Sequence, residues 1–199
     1  MTDTLMKQRR RMLEANREAA RYFHETLFTP EGAAALSYLQ GRGLNAKIIR
    51  HFGLGCAPNR WDGLLRHMRQ KGYSEAELVN ANLARRSDKN GRTSCYDNFR
   101  NRMMIPIIDL RGNVIAFGGR VLDDAKPKYV NTSDTLVYKK SQAIFALNFA
   151  KSANQGKLIL AEGYMDVIAY HQAGFTNAVA CLGTGTHPRT GAAACPLCR

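Results

Sequence analysis

The chain has 199 residues, enough for one or two domains with a real core. Its net charge is +13, and basic residues outnumber acidic ones along the whole length rather than in one tail, which points to a basic surface built by folding and a polyanionic partner. No apolar run reaches membrane-spanning length, the N-terminus lacks the apolar block of a signal peptide, and Cys56, Cys95, Cys181, Cys195 and Cys198 form no even framework, so a membrane protein, a secreted one and a disulfide scaffold are set aside in favour of a cytoplasmic chain.

Asp3 to Phe28 is predicted as one long helix, because Leu5, Met12, Ala15, Ala19, Phe23 and Leu27 recur near helical spacing. Lys7, Arg9, Arg10 and Arg11 cluster at its start and read as a solvated face. Thr29-Pro30-Glu31-Gly32 combines a cap, a proline and an acid, and opens a helix to about Leu39. Asn45 caps a short helix over Ala46 to His51. Phe52 to Ala57 is a short strand, and a helix follows from about Trp61 to Lys71. Ser74 and Glu77 form a capping box for another helix, which ends by Asn80. Leu83 opens a strand that the polar stretch Arg85 to Gly91 interrupts, with Asn90-Gly91 as a hairpin turn.

Arg102 to Asp109 is strand-like, with Pro106 indicating an edge or a bulge. Arg111-Gly112-Asn113 turns the chain, and Asn113 to Val121 returns as its partner. Residues 83–121 are thus expected to build a small antiparallel sheet. Tyr129-Val130 and Ala143 to Ala146 are further short strands, and Asn148 to Ser152 a helical connector. Three basic clusters lie on loops or strand ends: Phe99-Arg100-Asn101-Arg102, Phe117-Gly118-Gly119-Arg120 and Pro127-Lys128-Tyr129-Val130-Asn131. Glycines beside an arginine allow close backbone approach, and Arg grips phosphate with two prongs. Lys128 and Lys140 are point charges suited to a nucleotide tail or a template backbone; Tyr129 either stacks on a base or belongs to the core.

The last predicted unit is β-α-β. Leu158 to Ala161 is a buried parallel strand, a helix follows to about Gly174, and Ala178 to Cys181 is the second strand, closing on Leu182-Gly183-Thr184. Glu162 falls at the carboxyl end of the first strand and Asp166 in the first turn of the helix. Two half-buried acids at that place call for a cation, and Mg²⁺ is the hard ion that one or two carboxylates plus phosphate oxygens hold. The bland alternative is a helix-start acid beside a solvated one.

In order, YLQGRGL, HFGLGCAP, WDGLL, FRNRMMIPIID, GNVIAFGGRVL, PKYVNTSDT, ALNFAK and AEGYMDVIA over roughly residues 20 to 184 resemble bacterial DnaG-type DNA primase, with a TOPRIM domain at the acidic motif. The resemblance implies an α+β fold: a basic subdomain of helices and a small antiparallel sheet, then a truncated TOPRIM-like α/β unit. The expected segments are a helix or linker over 1–28, the basic subdomain over 29–152, a partial TOPRIM domain over 153–184 and an irregular tail over 185–199. It implies template-directed synthesis of short RNA primers on single-stranded DNA. Arg42, Arg100, Arg102, Arg120, Lys128, Tyr129, Asn131 and Lys140 would hold template and nucleoside triphosphate; Glu162 and Asp166 would be catalytic and would gather Mg²⁺ or Mn²⁺.

The chain also departs from the family. No Cys/His zinc ribbon precedes residue 56, so zinc is not expected, and a helicase would be engaged only through a C-terminal domain missing here. No Asp or Glu follows Asp166, so the acid set is incomplete and activity is expected to be impaired. Residues 185–199, with Cys195 and Cys198 as C-x-x-C, read as the product of truncation or a frameshift. The chain is expected to be a monomer. A non-catalytic basic fragment that holds single-stranded DNA or nucleotides stays open as the alternative.

Overall fold

Helix α1 (Asp3–Leu27) is the axis on which the first half of the chain is laid. The structure is a computed structural model and describes residues 3–89, 92–153 and 156–183. The turn at Asn90-Gly91, Thr184 and the segment 185–199 lie outside the described residues. Met12, Ala15, Ala19, Phe23 and Leu27 are buried, as their spacing requires; the basic start of the helix is solvated, with Lys7 paired to Asp3 and Arg10 to Glu14.

Thr29 and Pro30 open a single 3₁₀ turn, Pro30–Gly32, before α2 (Ala33–Gly41) begins, so the helix starts later than its sequence signal. Helix α3 (Ala46–His51) is capped by Asn45, whose Oδ1 accepts from the Ile48 amide at 2.9 Å. The strand expected from Phe52 shrinks to β1 (Gly55–Ala57), because Gly53 takes a positive φ of 60° as the chain leaves α3. Helices α4 (Gly63–Gln70) and α5 (Glu75–Asn80) follow; the Ser74–Glu77 capping box of α5 is fully formed.

The polar stretch after Leu83 does not interrupt a strand but is one. β2 (Ala84–Lys89) pairs with β3 (Arg92–Asp97) as a separate two-stranded ribbon. The expected single sheet over 83–121 is therefore replaced by this ribbon and a four-stranded antiparallel sheet. That sheet has the order β1-β4-β5-β6, with β4 (Arg102–Ile108), β5 (Val114–Val121) and β6 (Tyr129–Asn131). Short strands from distant loops supply its edges, which local periodicity cannot announce. Pro106 sits where β1, paired only as far as Met104, has left that side of β4 open. Both faces of β4 are buried: Met103, Ile105 and Ile107 join one apolar cluster, while Met104 meets Phe23, Phe99 and Phe117 in another.

The last unit carries α6 (Leu147–Ser152), α7 (Tyr164–Gln172) and three strands in the order β7-β9-β8, namely β7 (Ile144–Phe145), β8 (Ile159–Ala161) and β9 (Ala178–Cys181). β8 and β9 are parallel, as predicted, and β7 adds an antiparallel edge. β8 itself is a correction: it is not a buried strand but an edge strand, with Leu158 42% and Leu160 51% exposed. Helix α7 binds the two halves together. Val167 and Ile168 are fully buried in the cluster that also holds Leu39, Ile48, Phe52 and Met103. Among the described residues no helix is long and apolar enough to cross a membrane.

Candidate nucleic-acid and nucleotide interface

The β5–β6 ladder sets one wall of the site. Its register places Gly118 opposite Asn131 and Arg120 opposite Tyr129, so these two pairs follow each other on one face of the sheet. The β8–α7 turn sets the other wall: Glu162 follows the strand, Gly163 is the N-cap of α7, and Asp166 lies in the first turn. Between the walls is a cleft of about 410 Å³ whose lining includes Arg42, Arg120, Lys128, Tyr129, Glu162 and Asp166. Residues from Arg42 to Leu182 thus line one concavity.

Arg120 is held for this position. Its guanidinium carbon lies 4.5 Å from the centroid of the Tyr38 ring and 5.7 Å from that of Tyr129. Its Nε is buried without a hydrogen-bond partner among the described residues. Stacking between two rings fixes the fork while leaving donors for a planar or tetrahedral anion. Arg42, at the C-cap of α2, donates through Nε to the Tyr38 hydroxyl at 3.1 Å. Burial lifts the Tyr129 phenol above its usual range, with Arg120 pulling the other way, so Tyr129 stays neutral and retains its donor.

Glu162 and Asp166 are exposed rather than half-buried. The reason is the edge position of β8, whose outer face no element covers among the described residues. Two carboxylates four residues apart across a helix start offer hard oxygen donors to a Mg²⁺ that takes its other ligands from water and phosphate. Among the described residues no group of three or more His, Cys, Asp or Glu is placed to hold a metal ion. The pair therefore fits the carboxylate side of a substrate-completed site and does not form a closed cage.

The other expected site residues stand elsewhere or do other work. Asn131 lines the cleft, but its Oδ1 accepts from the Tyr164 hydroxyl at 3.0 Å. Arg102 is half-buried and donates to the carbonyls of Gly119 (3.1 Å) and Pro127 (3.3 Å), bracing the loop that carries Lys128. Burial depresses the Arg102 guanidinium below its usual range. Lys140 starts a 3₁₀ turn after the 133–139 loop, its amide donating to Asp134 at 2.9 Å, and does not line the cleft. Arg100 is on another surface: it donates to the Asp97 carbonyl, and its guanidinium lies 4.2 Å from the centroid of the Trp61 ring and 5.1 Å from that of Tyr96. Trp61, 64% exposed, completes an aromatic platform there with Tyr96 at 5.6 Å. Sequence reasoning missed Trp61 and Tyr38. The only signal for Trp61 was one tryptophan at a helix start, where apolar periodicity has no use for it.

Two family profiles and several relatives match this chain. A profile described as "DNA primase catalytic core, N-terminal domain" matches residues 22–151, and a "Toprim domain" profile matches 156–197. A DNA primase of Deinococcus radiodurans is 49% identical over 180 residues, which are 89% of this chain and 30% of the relative, so the chain spans about a third of that relative's length. The RNA polymerase domain of a Mycobacterium tuberculosis primase superposes with a TM-score of 0.83 at 40% identity, over 90% of this chain and 58% of that one. A primase catalytic domain solved bound to ssDNA gives 0.82 at 37% identity, over 91% of this chain and 56% of the other.

Proposed function

We infer the function of this chain from its membership: it belongs to the DnaG-type DNA primase family. We propose that it is part of a primase catalytic core, in which a basic wall holds single-stranded DNA template and nucleoside triphosphate against a two-acid wall during RNA primer synthesis. The observation that carries this reading is the single cleft that gathers Arg42, Arg120 and Lys128 opposite Glu162 and Asp166. Arg120 and Arg42 supply planar forks for phosphate oxygens, and Lys128 a mobile point charge at the mouth. Tyr129 offers a half-buried ring beside them. Glu162 and Asp166 would hold Mg²⁺ or Mn²⁺, which when bound stabilises charge on attacking and leaving oxygens. Glu162 would take or give a proton at the reacting hydroxyl. The Trp61–Arg100–Tyr96 platform lies outside the cleft and suits an unpaired base further along the strand. The mode of action is that of a cytoplasmic monomer.

The reading is tested by titrating a labelled single-stranded oligonucleotide. Lys128→Glu is the informative variant, since Lys128 is exposed and its loss disturbs no packing, whereas Arg120 is stacked between two rings. Charge reversal should weaken binding by about tenfold, the equivalent of roughly 1.4 kcal/mol; unchanged affinity would remove this wall from the interface. With template, four ribonucleotides and Mg²⁺ or Mn²⁺, any primer made should fall to background in Glu162→Gln. A second reading, a non-catalytic holder of single-stranded DNA or nucleotide, is favoured by the two-acid limit among the described residues. Intact binding without any primer would select it.

A further inference from the structure

We propose that Tyr164 is a positioning residue: it seats the start of α7 on the β5–β6 ladder and so sets the distance between the two walls of the cleft. The inference rests on the function proposed above. Helix α7 has no side-chain cap at Gly163, so its own first turn does not locate it. Tyr164 does. The hydroxyl end of its ring packs tightly on Gly118, where a Cβ would meet Cζ at 2.9 Å and the hydroxyl oxygen at 3.1 Å. Its hydroxyl donates to Oδ1 of Asn131 at 3.0 Å. Gly118 and Asn131 are directly opposite each other in the ladder, so one side chain engages a single cross-strand pair, packing on Gly118 and bonding Asn131.

The next pair on that face is Arg120 and Tyr129, and two residues after Tyr164 comes Asp166. The lock therefore ties the strand pair next to Arg120 to the helix turn that carries Asp166. Phe145, 4.9 Å away edge-on, closes the ring from the side. The Tyr164 side chain is buried, only 6% exposed. A buried hydroxyl costs stability unless it is bonded, and Asn131 supplies that bond. This also explains why a glycine stands at position 118: any side chain there would lift the ring and with it the acid wall.

The test reads the cooperation between the walls rather than turnover. ATP is titrated into the full chain with and without Mn²⁺, and thermal midpoints are recorded beside it. In the unaltered chain Mn²⁺ should tighten ATP binding by about tenfold, within the usual range of site coupling. Tyr164→Phe keeps the ring and loses the bond. It should keep the metal-free affinity within about twofold while the Mn²⁺ enhancement falls to about twofold or less. Asn131→Ala, which removes the acceptor without touching α7, should lose the enhancement as well. Full enhancement in Tyr164→Phe overturns the lock, and so does a parallel loss of metal-free binding and thermal stability, which would make Tyr164 a core residue only. An unaltered chain that binds ATP equally with and without Mn²⁺ defeats the two-wall reading itself and this inference with it, and is told apart from the other failures by that control.

Discussion

Asp97 shows how far a single residue's role can lie from its place in the sequence. It accepts from the amides of Leu64 and Leu65 at 2.8 and 2.9 Å, and so caps α4 from more than thirty residues away while Asp62, the local cap position, makes no such bond. Burial raises its pKa to about 6, against the two amides and Arg100, which lower it. The sign follows: the folded state holds the proton more readily than the unfolded chain. This group's contribution is fully present below its ordinary value near 3.8 and is lost as pH rises through about 6. Asp97→Asn keeps an amide oxygen for the helix and has no such titration. The stability of the unaltered chain relative to this variant should therefore fall by roughly 2 kcal/mol between pH 4 and pH 7 in urea unfolding. A difference independent of pH would show that burial does not govern Asp97. Nothing local marked this residue, because its partners come from a helix that only the fold brings near. The positions of Glu162 after β8 and of Asp166 in the first turn of α7, in contrast, were legible in the sequence, since strand, turn and helix signals around them are all local.

At the scale of elements, the well-read features share that property. The Asn45 cap, the Ser74–Glu77 capping box and the β4–β5 hairpin with Pro106 each depend on neighbours within a few residues. The misread ones depend on distant partners. β2 is strand because β3 pairs with it, despite a polar sequence of poor strand propensity. β1, which starts only after the turn at Gly53, is then pinned against α1. Gly55 there has no room for a side chain: a Cβ would lie 2.6 to 2.7 Å from the backbone of Phe23. Since those atoms belong to a helix backbone, they cannot yield as a flexible side chain would. Gly55→Ala should destabilise the chain by about 1–3 kcal/mol, as overpacked cores do. Denaturant midpoints check this, and a neutral substitution would mean that α1 slides on β1 freely.

For the whole molecule, the charge of +13 is a sum, and the fold decides where it acts. Much of the N-terminal basic run is spent on ion pairs and solvent, with Arg11 paired to Glu77 at 2.7 Å. Arg42, Arg120 and Lys128 converge on the cleft. If these three alone meet phosphates, the logarithm of affinity for single-stranded DNA should fall with the logarithm of salt at a slope of about −2. A slope near zero would refute a phosphate interface, and one several-fold steeper would bring in Arg100 and the Trp61 platform. Composition, periodicity and ordered motifs were enough for the α+β class, the helices, the family, and the place of Glu162 and Asp166 at a strand end and a helix start. Those signals are carried by residues a few positions apart, and helix turns, hairpins and caps are short-range structures. Which arginines share the cleft, which one braces a loop, and that β8 forms an edge were settled only when β5, β6 and α7 packed together. Burial and electrostatic pairing act through space, between residues whose order along the chain carries no record of their distance.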